Sequence, residues 1–173
     1  MHTVRVCDDY VVRHAVDRLS QILWRERDLL DALLFKLEIE QLVLGSGRTR
    51  WLARAAKEVE AILELLRETE ILRAVAADEA AASVGLTSNP SLRALAEAVD
   101  EPWRSILVEH KEAFEGVSRE ISALAEANRE LLTTGLRSAR ETLLSLEHEA
   151  EGYSPDGAAV LTKSPPRLVD RSL

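Results

Sequence analysis

One cysteine, Cys7, is all the sequence holds, so no internal disulfide can form and no site of four thiolates can be built. Aromatic residues make up only 4% of the chain against 46% hydrophobic residues, which leaves Leu, Ala, Val and Ile to fill a core. That mixture, with 30% charged residues, favours helices over sheets. No apolar run approaches the roughly 18 residues that span a bilayer, and the opening MHTVRVCDDY has no basic stretch followed by an apolar one. Basic residues are in deficit as well. The 22 Lys and Arg against 30 Asp and Glu give a formal charge of -8, which repels a phosphate backbone and an anionic membrane surface. These absences argue against nucleic-acid binding and membrane insertion, and they lead to the expectation of a soluble, cytoplasmic protein in a reducing compartment.

What the sequence does hold is helical periodicity. Along a first helix expected over 9–44, with Asp8 or Asp9 as its cap, Val16, Leu19, Leu23, Leu30, Leu33, Leu37 and Leu44 recur at alternating steps of three and four. Glu26 and Glu40 interrupt that seam, either as interior acids paired with arginine or as glutamates tolerated at the edge. Leu29, Leu34 and Phe35 widen the apolar sector, which implies more than one neighbour. Gly45 and Gly47 in LGSGR close the helix, and so short a connection predicts an antiparallel hairpin with a second helix over 49–84. Its inward residues are read as Leu52, Ala55, Val59, Ile62, Leu66, Ile71, Leu72 and Val75, with Gly85 as the stop. A short helix follows over 90–98, capped by Asn89 with Pro90 at its first position. The last helix, over 101–149, begins at Pro102 behind Asp100 or Glu101 and carries Trp103, Ile106, Leu107, Phe114, Val117, Ile121 and Leu124 on one side. The expected fold is all-α: an elongated antiparallel three-helix bundle or coiled coil over 1–150, one short extra helix, and a flexible tail over 151–173.

At 1.5 Å per residue the hairpin helices would each be about 55 Å long and the last helix about 70–75 Å. The surplus would fall at its C-terminal end, where the apolar stripe does not fade. Projection of 121–146 at 100° per residue gathers Ile121, Leu124, Asn128, Leu131, Leu132, Leu136, Leu143 and Leu146 in a sector of roughly 140°. Leaving Leu132, Leu136, Leu143 and Leu146 in water forgoes on the order of 1.5–3 kcal/mol each, so either the chain folds back, a copy pairs with it, or a partner covers them. Thr133, Thr134 and Gly135 are poor helix formers in succession and mark a candidate hinge within the stripe. Asn128 sits in the seam, where it can fix the register of a helix pair within the bundle or with a partner.

Catalytic patterns are missing. Neither Glu-x-x-His nor His-Glu-x-x-His occurs, and there is no Gly-rich phosphate loop or Gly-x-Ser-x-Gly elbow, so neither an enzyme nor a bound metal or cofactor is expected. His110 is read as a half-buried packing residue with a carbonyl or carboxylate partner, and Cys7 as a passive thiol. RTRWLAR concentrates Arg48, Arg50 and Arg54 at the start of the second helix. Two uses are open for them: pairing with Glu38 and Glu40, or docking of an acidic partner.

LSQILWRERDLLDALLFKLEIEQLVLGSG followed by RTRWLARAAKEVE resembles the N-terminal hairpin of the FlgN family of bacterial flagellar export chaperones. EISALAEANRELLTTGLRSARETLLSL looks like that family's last helix, and GYSPDG is similar to the short Tyr and Gly element after it. The resemblance covers about 12–157. It implies a chaperone that keeps hook-associated proteins of the hook-filament junction competent for the flagellar type III export apparatus. It further implies that the C-terminal amphipathic helix holds the cargo's C-terminal helix, which carries over to Asn128, Leu131, Leu132, Leu136, Leu143 and Leu146. The export gate is a second candidate partner, and the expected oligomeric state is a monomer or weak homodimer. The rival reading is a structural homodimeric coiled-coil protein without a secreted client.

Overall fold

The computed structural model describes the backbone of residues 2–151 and the side chains of 10–146. The side chains of Cys7, Asp8 and Asp9, and residues 152–173 of the tail expected over 151–173, lie outside the described residues, while Glu151 belongs to the last helix. Every regular element is helical: α1 (His2–Gly45), a single 3-10 turn (Thr49–Trp51), α2 (Leu52–Ser83), α3 (Leu92–Ala98) and α4 (Trp103–Glu151). No strand occurs among the described residues. The chain divides into two compact units at Leu131 and Leu132, so α4 gives its first part to one and its later turns to the other.

In the first unit α1 begins at His2, seven residues before the expected start at 9. Its 44 residues make it about 66 Å long, while the 32 residues of α2 make about 48 Å, so the two arms are not the equal pair expected from the sequence. Gly47 at φ 64° and Gly85 at φ 75° take the left-handed conformation that ends α1 and α2, a region where a Cβ is costly. Ion pairs from Arg18 to Glu79, Glu26 to Arg73 and Lys36 to Glu58 run in opposite senses along the two helices, which are therefore antiparallel.

The core lies where the seam of α1 faces its neighbours. Val16, Leu19 and Leu23 are fully buried with Ala76, Ala80 and Ala81 of α2, Leu95 and Ala96 of α3, Val99, and Leu107 of α4. Burying each leucine contributes about 1.5–3 kcal/mol. A second cluster joins Leu33 and Leu37 to Leu66, with Val59, Ile62, Ile121 and Leu124 packed against it. The short α3 is thus part of the core, not an appendage.

Two sequence expectations fail here. Ile71, Leu72 and Val75 are exposed, whereas Leu66, Thr69, Ala76 and Ala80 form the inner face of α2. Small side chains at the seam let helices approach closely, and their weak hydrophobic signal was outweighed by the larger aliphatics beside them. Thr69 satisfies its hydroxyl within the helix, donating to the Leu65 carbonyl at 2.8 Å. The cap of α3 is Ser91 rather than Asn89: Ser91 Oγ accepts from the Ala94 N–H at 3.1 Å. Asn89 instead turns the chain at φ 57° and donates its own N–H to Asp78. At the start of α4, Glu101 rather than Asp100 provides the side-chain cap, its carboxylate accepting from the Ser105 backbone N–H at 3.3 Å and from the Ser105 hydroxyl at 2.7 Å.

Candidate functional site

Polar side chains interrupt the buried seam of the first unit at three levels. The seam spacing of α1 forces Glu26 inward, and Arg73 on α2 places Nε 3.0 Å from its Oε2, close enough for an ion pair though off the direction of a good hydrogen bond. Burial raises the Glu26 pKa above its ordinary value, partly offset by Arg73 and reinforced by Glu70.

His110 is wholly buried rather than half-buried as expected. Its Nε2 lies 3.4 Å from Ser20 Oγ, Trp24 stands edge-on with centroids 4.9 Å apart, and Phe114 stacks at 6.3 Å. A hydroxyl and two rings thus replace the expected carbonyl or carboxylate, and Nδ1 has no hydrogen-bond partner. Desolvation lowers its pKa, as does Arg27, while Glu109 opposes them. The ring is accordingly a neutral packing group near neutral pH.

Asn128 forms the third level. Its Nδ2 donates to the Leu37 carbonyl at 2.9 Å and to Glu40 Oε2 at 3.1 Å, tying α4 to α1. The seam interruption at Glu40 therefore has a partner on α4, one that no pattern within α1 could reveal. Ile121 and Leu124 pack in the same region against Leu33, Leu37 and Leu66. Three of the residues read as partner-binding thus face the first unit's own interior.

Leu131 is the last residue of the first unit and is 40% exposed. In the second unit Leu132 is half-buried, but Leu136, Leu143 and Leu146 are 72%, 63% and 55% exposed, with Leu144 exposed beside them. Thr133, Leu136, Ala139 and Leu143 line one shallow hollow together with Arg137 and Arg140. The sequence projection found the leucines but passed over the two arginines and Leu144. Thr133, Thr134 and Gly135 are all within α4, whose helix continues through them.

The arginine cluster at the hairpin tip does not pair with Glu38 and Glu40. Arg54 pairs with Glu58 one turn along α2, at 3.1 Å, and Arg50 lies over the Trp51 ring, 5.1 Å from its centroid. Arg48 makes no ion pair among the described residues. The first turn of α2 carries no acidic residue and no side-chain cap, so the tip stays locally positive on a chain of charge -8.

No group of three or more His, Cys, Asp or Glu residues gathers into a metal-binding cluster among the described residues. None of the described helices is long and apolar enough to cross a membrane. The arrangement offers instead an amphipathic helix face whose leucines are exposed in its second half. The family model described as FlgN protein matches residues 15–160. No curated protein and no solved structure matches the chain.

Proposed function

Since the chain belongs to the FlgN family of flagellar export chaperones, we propose that it is a cytoplasmic chaperone that covers the C-terminal helical region of hook-associated proteins before export. The client helix lies along Leu131, Leu132, Leu136, Leu143 and Leu146. The observation that carries this reading is the exposure of Leu136, Leu143 and Leu146 on one amphipathic stretch inside the matched region. Residues up to Asn128 hold the scaffold, which takes the form of an elongated antiparallel three-helix bundle. Thr133, Thr134 and Gly135 are the point at which the receiving segment re-aims when the client arrives. Arg48, Arg50 and Arg54 provide an accessory contact for an acidic partner, for which the export gate is a candidate.

Replacing Leu136, Leu143 and Leu146 together by Ser tests the reading. Helicity and melting should stay close to those of the parent, while co-purification with a hook-associated protein is lost. Loss of the fold, or retention of the cargo, would overturn it. Sedimentation over a range of concentrations separates it from the homodimeric reading, which requires a dimer that persists on dilution.

A further inference from the structure

If Leu136, Leu143 and Leu146 form a client ridge, two neighbouring side chains are left unexplained, and the inference drawn from them rests on that reading. Arg137 and Arg140 line the same hollow as Leu136 and Leu143. At 100° per residue Arg140 falls about 40° from Leu136, with Leu144 about 40° further round on the same side. Its side chain therefore leaves the helix within the apolar sector, not across the helix from it. Neither arginine makes an ion pair among the described residues. Elsewhere the same side-chain spacing does close a pair, as in Arg54 with Glu58, Arg93 with Glu97 and Lys111 with Glu115. Arg137 has Glu141 at that spacing and makes no such pair.

A cation inside an apolar ridge is tolerable while water reaches it. Once a helix seals Leu136 and Leu143, that charge is desolvated, and a neutral occupant would leave it uncompensated. We propose that the helix received here carries carboxylates in or beside its own apolar ridge, which pair with Arg140 and Arg137. The occupant is an acidic amphipathic helix of another protein. The same segment of a second copy, paired in register, does not meet the requirement. Between Leu132 and Leu146 the sole carboxylate is Glu141, about 140° round the helix from Leu136. A two-fold antiparallel pairing would set the arginine flank against itself. A parallel pairing would set it against the flank of Gly135, Ser138 and Thr142, which carries no acid.

Two labelled designed helical peptides provide the test. They share one leucine ridge and differ only in the residues beside it, Glu in one and Lys in the other. Each is titrated against the full chain, its Arg137→Glu plus Arg140→Glu variant, and its Leu136→Ser plus Leu143→Ser variant. The whole molecule is acidic, so non-specific attraction favours the Lys peptide. The parent is expected to bind the Glu peptide more tightly by about tenfold, with a margin that shrinks as salt is added. Charge reversal should invert the order, and the Ser variant should lose both peptides. Equal affinities, or an order that charge reversal leaves unchanged, would overturn the acidic-helix proposal and leave the ridge reading standing. Binding that survives Leu136→Ser plus Leu143→Ser, or no binding by the parent, would overturn the ridge reading and this proposal with it. A dimer that dissolves in the Ser variant but ignores charge reversal would give the face to a second copy.

Discussion

Leu107 and Leu136 stand on the same helix and in the same kind of apolar stripe, yet one is fully buried and the other is 72% exposed. In the first unit the stripe of α4 meets Leu19 and Leu23 of α1 and Leu95 of α3. In the second unit the stripe persists without cover over Leu136, Leu143 and Leu146. Periodicity thus reports that a face is suited to packing, not that the molecule itself supplies what packs there. The early leucines of this helix stabilise the fold, whereas Leu136, Leu143 and Leu146 keep most of their apolar surface in water.

Truncation should separate the two stretches most sharply. Leu107→Ala leaves a cavity in a closed core and should cost about 2–5 kcal/mol in urea unfolding. Leu136→Ala, at an exposed helical position, should stay within about 0.5 kcal/mol of the parent. Comparable losses from both would mean that the late stripe is covered in solution, and the distinction between the two regions would collapse. Asn128→Ala comes next, because it removes both links from α4 to the Leu37 carbonyl and Glu40. A loss of about 1–3 kcal/mol is expected, against almost no loss if Asn128 served only a partner.

The polar levels of the first unit make its stability depend on pH in a way the exposed stripe does not. His110 has a lowered pKa in the fold, so the unfolded chain takes up its proton first as the pH falls. Its contribution is complete above the ordinary value of 6.5 and is lost as the pH drops through the lowered one. Glu26 works in the opposite sense. Its raised pKa means that its contribution is complete below the ordinary 4.5 and is lost as the pH rises through the raised value. His110→Phe keeps a ring between Trp24 and Phe114 without a titrating group. Its melting temperature should fall less than the parent's between about pH 7 and pH 5, while Glu26→Gln should remove the loss on the alkaline side. Glu58, half-buried, and Glu115, exposed, are held below their ordinary pKa by Lys36 and Lys111 respectively, and water reaches both pairs, so screening leaves them little influence on folding.

The α1 seam could be read from sequence almost residue by residue, since Val16, Leu19, Leu23, Leu33 and Leu37 combine size, apolarity and three-four spacing. The second half of α2 could not. Ala76 and Ala80 keep the spacing but carry little apolar surface, and Ile71, Leu72 and Val75 carry the surface off the spacing. Size misleads wherever close helix approach selects small residues. In the candidate site, the exposed leucines were legible because an unbroken stripe is a local property. Ile121 and Leu124 belonged by spacing both to the packing side of the last helix and to the late stripe, and Asn128 could serve the bundle or a partner. Which use holds depends on the neighbour that reaches them, and Asn128 is matched by groups some ninety positions away in the chain. Arg140 was overlooked for a related reason: a cation in an apolar sector has meaning only once its lack of an acid is known.

The smallest expected effect bears on the segment between the two stretches. Gly135 is within α4, has no positive φ, and a Cβ built there would meet nothing within 4 Å. Gly135→Ala should therefore stabilise the helix locally by about 0.5–1 kcal/mol, through the unfolded chain's lost freedom and the better propensity of alanine. Amide exchange of the turns around Thr133 to Ala139 should slow several-fold, with the melting of the first unit unchanged. If these turns bend to receive a client, the stiffer helix should also associate with it more slowly. Unchanged association beside slower exchange would show that α4 meets its partner straight, and Thr133, Thr134 and Gly135 would then serve only to keep this part of the helix marginal.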